Sequence, residues 1–251
     1  MKRFFTSVLI ASATLLSVQA QEKITFKLAP EKGKVIAFEM NMKSDVEGTQ
    51  NMIMDMTMKM NMSASDLTDS TVQYQTKYTQ LKTDVNAGFI SISYDSAIEP
   101  TDPMGKTMAT QLKPLLDNTL TITMDRRAQV ISMDFPNVPD AAFDRSSIQG
   151  MSVPYPTHPI AVGEKWENEI ALPQLGVKGK NTNTFTGKTA DGYKITVSGI
   201  YTDDSGKTLG TTSGYYIVDA KTFFTKASTI STELEVQGNK IKSSMELKEI
   251  Q

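Results

Sequence analysis

The chain has no cysteine, one histidine and one tryptophan among its 251 residues. Without a thiol there is no disulfide to staple the fold, no cysteine nucleophile, and nothing to carry a lipid at a leader-cleavage site. The single histidine, His158, stands between Thr157 and Pro159 in a proline-rich stretch. That setting offers neither a triad base beside a nucleophile elbow nor a histidine-based zinc site. Long apolar runs are equally scarce. The one run, Phe4 to Leu16, follows Lys2 and Arg3 and precedes the small residues Val18 and Ala20. This is the pattern of a secretory signal peptide over residues 1–20, too short to span a bilayer. Ala20 is the expected last residue removed, leaving a periplasmic or secreted, soluble product without a lipid anchor. The formal charge is −2, and removal of Lys2 and Arg3 takes it to −4. A mildly acidic exported chain is a poor candidate for binding nucleic acid or anionic membranes.

What the chain has in abundance is methionine, 15 residues in all. Between Gln50 and Ser63, Met52, Met54, Met56, Met58, Met60 and Met62 take every second position, and the intervening residues are mostly polar. Alternate residues of a strand share one face, whereas a helix would scatter this spacing around its axis. The segment is therefore a strand with one face paved in thioethers. The paving begins one strand earlier, where Ile36, Phe38, Met40 and Met42 share a face of Val35 to Lys43.

The rest of the chain reads as short strands joined by turns. Ile24 to Leu28 is a short strand; Thr71 to Thr79 alternates through Val72, Tyr74, Thr76 and Tyr78; Asp84 to Gly88 is a turn into Phe89 to Tyr94. Asp102 can cap a helix that starts at Pro103 and carries a stripe of Met104, Met108, Gln111, Leu112, Leu115 and Leu116, with Pro114 to kink or stop it. Strands resume at Thr119 to Met124 and Val130 to Phe135. A second short helix is expected over Asp140 to Ile148, and Gly150 to Gly163 is an extended connector holding Pro154, Pro156 and Pro159. The last third gives six strands: Trp166 to Leu172, Lys178 to Lys188, Tyr193 to Tyr201, Thr208 to Val218, Thr222 to Val236 and Lys240 to Ile250. The strand-rich regions before the first helix and after the connector echo one another in architecture. The expected fold is one mainly β domain over 21–251, a curved antiparallel sheet or incomplete barrel. Two short helices would pack over one face, within a helical and proline-rich insertion at about 102–163.

The methionine ladder, the Val72-Gln73-Tyr74-Gln75-Thr76 strand, Ser93-Tyr94-Asp95-Ser96, the Leu112 to Leu116 helix, Leu120 to Met124, and Val162-Gly163-Glu164-x-Trp166 occur in that order. The series resembles an uncharacterised family of secreted proteins from Bacteroidetes-type bacteria. That resemblance implies export in a Gram-negative cell; the family has no established catalytic residues to transfer.

Catalytic constellations are otherwise missing, and no enzyme activity or cofactor is expected. Gly105-Lys106-Thr107 lacks the leading glycine of a phosphate loop, because Pro100 stands there. Asp203-Asp204-Ser205-Gly206 lacks the later ligands of a calcium loop and reads as a turn. No pair among the 28 acidic residues singles itself out as a glycosidase pair. The methionines admit three readings. They can be plain core, leaving an envelope scaffold or interaction protein whose free strand edge could add a partner strand. They can line a pliable greasy site for a lipid-like small molecule, with Met40, Met42, Met52, Met54, Met56, Met58, Met60 and Met62 as the lining; this is the leading expectation. An open sheet of this kind is similar to the carriers that move lipoproteins and lipids across the periplasm, an analogy of fold alone. Third, repeated Met-x-Met could capture Cu(I) or Ag(I), although such sites usually add His or Cys.

Overall fold

The computed structural model describes residues 22–48, 51–138, 152–172 and 176–250. The signal peptide and the second expected helix, Asp140 to Ile148, lie outside the described residues. Within them the fold is mainly β. The strands are β1 (Val35–Glu47), β2 (Met52–Leu67), β3 (Thr71–Ala87), β4 (Ile90–Asp95), β5 (Leu120–Asp125) and β6 (Val130–Asp134), followed by β7 (Lys165–Leu172), β8 (Val177–Lys188), β9 (Tyr193–Thr202), β10 (Thr208–Val218), β11 (Thr225–Val236) and β12 (Asn239–Ile250). All twelve join one antiparallel sheet in the order β6-β5-β3-β2-β1-β12-β11-β10-β9-β8-β7, with β4 pairing the far half of β3. Two meanders are thus welded where the first and last strands meet, Met40 opposite Leu247 and Met42 opposite Met245. The sheet does not close into a barrel.

It must nevertheless curl. Phe26 packs its ring 5.3 Å from Phe185 of β8, while the Leu28 N–H donates to the Arg126 carbonyl at the β5–β6 turn over 2.8 Å. Two residues span at most about 7 Å. In a flat sheet the eight steps from β5 to β8 would cover roughly 38 Å. The two arms therefore bend toward each other around the segment that runs between them.

That segment is the first correction. Ile24 to Leu28 is not a sheet strand; it is an extended strap crossing the concave face, bridged to Ile160 at one end and to Ala64, through Lys32, at the other. Phe26 and Leu28 are buried to 2% and 1% exposure. Arg126 fastens it, donating from Nη1 to the Leu28 carbonyl over 2.8 Å and from Nε to the Thr68 carbonyl over 2.9 Å. The proline-rich connector lies beside it, with Val153, Tyr155 and Ile160 buried. The Trp166 indole N–H donates to the Pro154 carbonyl (2.7 Å) and the Tyr155 hydroxyl to the Phe223 carbonyl (2.6 Å). The sole tryptophan therefore anchors the connector to β7.

The second correction concerns the helices. Among the described residues there is one, α1 (Pro103–Asp117), the first of the two expected; the other lies outside them. Asp102 caps it by accepting from the Gly105 N–H at 2.8 Å, Pro103 opens it, and it ends three residues after Pro114. Leu112 and Leu115 are buried and Met108 and Leu116 partly so, whereas Met104 and Gln111 face solvent. The helix packs on β3 and β4. It covers part of one arm, and the strap and connector fill the centre.

A third correction is local. β3 runs unbroken to Ala87, so Asp84 to Gly88 is not a turn; the reversal is at Gly88 and Phe89, with Gly88 at φ +62°. The strand survives its change of pattern through a bulge: Lys59 pairs with Gln80 and Met60 with Tyr78, leaving Thr79 extra. Tyr78 and Leu81, three apart, both point inward.

The β10–β11 loop also dips inward. Asp219 Oδ1 accepts from the N–H groups of Lys221 (2.9 Å) and Thr222 (2.8 Å), and the turn sets Phe224 against Tyr74, centroids 4.8 Å apart. Burial works against the Asp219 charge, but these amides hold its carboxyl below the ordinary value. A depressed folded-state pKa lends stability that is complete above the unfolded value of about 3.9 and fades as pH falls through the lower folded one. Acid titration followed by Trp166 fluorescence should show a shallower loss of stability below about pH 4 in Asp219→Asn than in the parent. Equal slopes would remove Asp219 from the acid transition.

Candidate functional site

The sheet register resolves the inner face into rows running across the strands. Next to the strap lies Phe185-Ile195-Tyr216-Ser228-Leu247-Met40-Met58-Leu81, from β8 to β3. It is sealed: Met40 is 0% and Met58 1% exposed. Met60 and Met62, in the same buried cluster as Phe26 and Leu28 of the strap, are buried as well. The next row outward is Asn183-Val197-Gly214-Ile230-Met245-Met42-Met56-Thr83. Here Met42, Met56, Met245 and Ile230 are only half-buried. Beyond them Met54 pairs with Ser44 and Val85, and Met52 with Val46 and Ala87, again half-buried.

The ladder therefore divides. Met40, Met58, Met60 and Met62 are packed solid, while Met42, Met52, Met54 and Met56 line the open end of the concave sheet. The structure brings the second group together with residues that the sequence did not single out, above all Met245 and Ile230. Met245 alternates with Ser244 and Glu246 in the last strand. Its place beside Met42 depends on the pairing of first and last strands, for which no local signal exists.

The polar groups on this face are few and mostly uncharged. Thr232 Oγ1 lies 3.0 Å from Thr212 Oγ1, which donates to the Ser231 carbonyl; Asn183 donates to Asn168 Oδ1 over 2.7 Å. Burial pushes the Tyr201 phenol up, partly offset by the Thr232 and Thr212 hydroxyls. Among the described residues no cluster of His, Asp or Glu has metal-ligand geometry. His158 is exposed in the connector, and Gly105-Lys106-Thr107 is the first turn of α1. Asp203 Oδ1 closes its own turn by accepting from the backbone of Ser205 and Lys207.

Two clefts lie elsewhere. One, of about 870 Å³, opens on β7 to β9 beside the Glu167–Lys180 ion pair (2.8 Å) and the exposed Ile200. The other, of about 370 Å³, lies between the end of the strap and the β10–β11 loop, with Lys34, Phe38, Asp219 and Phe224 in its wall. Neither is lined by a methionine.

The molecule is thus an open, curled antiparallel sheet wrapped around its own N-terminal strap, with an unclosed apolar trough at one end. No helix among the described residues is long and apolar enough to cross a membrane. Residues 140–240 match a family of unknown function (DUF6263). The match takes in β7 to β11 and the opening of β12, which is the second arm, and leaves the methionine ladder outside it. No curated protein matches the chain.

Proposed function

We propose that the chain binds an apolar or amphiphilic small molecule in the trough, without catalysing a reaction, after export to the periplasm of a Bacteroidetes-type bacterium. The observation that carries this reading is the half-exposed row Met42, Met56, Met245 and Ile230, continued by Met52 and Met54. Apolar side chains that could have been covered by the strap are left beside solvent, and pliable thioethers accommodate ligands of variable shape. Each methylene laid against them contributes about 0.8 kcal/mol, so shape-tolerant contact alone can hold an acyl chain. The scaffold reading accounts for the four sealed methionines and gives no reason for the open ones.

Native mass spectrometry and lipid extraction of protein purified from the periplasm test the proposal. A copurifying lipid, together with a melting temperature raised by added single-chain lipids, supports it; a lipid-free protein whose melting temperature no lipid moves sinks it.

One arrangement favours a second reading. Met245, Met42 and Met56 stand directly opposite one another on three adjacent strands, where Cβ atoms lie about 5 Å apart. Three thioethers at that spacing form a soft donor set for Cu(I) or Ag(I). A competition titration against a Cu(I) chelator decides it: no withdrawal of copper by the parent protein, or equal withdrawal by Met42→Leu, rejects the metal site.

A further inference from the structure

Across β8 to β3, the inner face outward of the sealed row carries no acidic or basic side chain. The three rows that remain consist of apolar residues, glycines, hydroxyls, the Tyr201 phenol and amides. The charges of the same strands alternate onto the outer face, where Lys43 faces Asp55 and Glu39 pairs with Lys248. One of the three rows is a belt of neutral hydrogen-bonding groups: Asn181, Thr212, Thr232, Ser243 and Ser44, with Gly199 between the first two.

Asn181 is 7% exposed, and its Oδ1 accepts no hydrogen bond. Gly199 makes its position possible, because a Cβ there would stand 2.0 Å from that oxygen and 2.9 Å from Thr212 Cγ2. The amide carbonyl lies over the bare glycine, in line with the belt and next to Asn183 at the β8 end of the row that holds Met245, four strands away on β12. Asn183 Oδ1 and the Thr83 hydroxyl, at the two ends of the methionine row, are likewise buried without a partner. Buried acceptors left unpaired are costly, and a ligand that donates to them gains more than one that does not. A carboxylate or phosphate would meet the opposite: its charge would leave water with no cation to receive it, and Asn181 Oδ1 would repel it.

We propose that the trough selects an uncharged amphiphile, an apolar chain with a hydroxyl-bearing head whose O–H donates to Asn181 Oδ1 while the chain lies along Met42, Met56 and Met245. This rests on the amphiphile-binding reading above and adds the class of head group. The test is calorimetric titration of the full mature chain with monooleoylglycerol and with oleate, which share one acyl chain, at about pH 8, where the free carboxylate is ionised. The glycerol ester should bind at least roughly tenfold tighter, and Asn181→Leu should erase that preference while leaving chain binding in place. Gly199→Ala, which pushes the Asn181 carbonyl aside, should act in the same direction. Oleate binding as tightly as the ester, or a preference that survives both variants, overturns the neutral-head proposal and leaves the trough as an amphiphile site. Binding of neither lipid removes the site itself and the inference with it.

Discussion

Replacing Met58 by Asp should cost the protein about 3–5 kcal/mol in urea denaturation, whereas the same change at Met54, two turns of the alternation away, should cost about 1 kcal/mol or less. Met58 is 1% exposed, flanked by Met40 and Leu81 on adjacent strands, with no polar group placed to receive a carboxylate. An ionised side chain there leaves water without a partner; a protonated one still buries two unsatisfied oxygens. Met54 lies half-buried between Ser44 and Val85, where a carboxylate can reach water. Met58→Leu, which keeps the volume and the chemistry, should stay within about 1.5 kcal/mol of the parent and excludes a generic intolerance of the position. Equal losses at Met54 and Met58 would mean that the outer ladder is as sealed as the inner one, and the trough would cease to exist as a surface.

The contrast also explains why one strand carries six methionines rather than six valines. A β-branched residue would favour the strand more, and in the sealed half nothing about packing demands a thioether. In the open half an unbranched, polarisable side chain can follow a ligand's contour, which a rigid Val or Ile cannot. Periodicity alone assigned one role to the whole ladder. The division into core and trough follows tertiary packing: Met58, Met60 and Met62 share one buried cluster with Phe26 and Leu28 of the strap, and Met54 lies outside it.

Much of the sheet was legible because alternation of period two survives wherever one face is buried. Thr208 to Val218 was placed to the residue, and most other strands to within a few residues of their ends. The Asp102-Pro103 pair marked the helix start because both the cap and the fixed proline φ are local chemistry. The misreadings arise where that alternation is interrupted or where its partners lie far along the chain. The inserted Thr79 breaks the alternation, so a sequence window ends at Thr79 a strand that the sheet carries on to Ala87. The last hairpin turns at Gln237-Gly238, both at positive φ, between Val236 and its partner Asn239. Ile24, Phe26 and Leu28 alternate as a strand would, yet what they pack against comes from residues 126, 160, 185 and 223, and no window around residue 26 contains those. The trough was harder still. Met42 and Met245 are neighbours only because β1 and β12 pair across nearly the whole length of the chain.

The strap supplies the second large effect. Phe26→Ala should destabilise the fold by about 3–5 kcal/mol and expose residues 22–34 to limited proteolysis under conditions where the parent resists. The Phe26 ring sits 5.2 Å from Tyr155, 5.3 Å from Phe185, and 5.7 Å from both Tyr193 and Phe223, so it joins the connector, the second arm and the β10–β11 loop at one point. These four rings approach from separate elements held in place by their own hydrogen bonds, including that from the Tyr155 hydroxyl to the Phe223 carbonyl. They cannot all collapse into the space a phenyl leaves, and the cavity term adds to the lost transfer energy. Lys23→Ala, three residues away, removes only an exposed ion pair to Glu164 at 3.7 Å and should leave stability nearly unchanged. If Phe26→Ala cost no more than Lys23→Ala, the strap would be a surface appendage. The two arms would then be held in their curl by the sheet's own twist and by the connector, which reaches from the β5–β6 turn, where the Tyr155 N–H donates to the Arg127 carbonyl (2.7 Å), to β8, where the Gly163 N–H donates to the Phe185 carbonyl (2.7 Å).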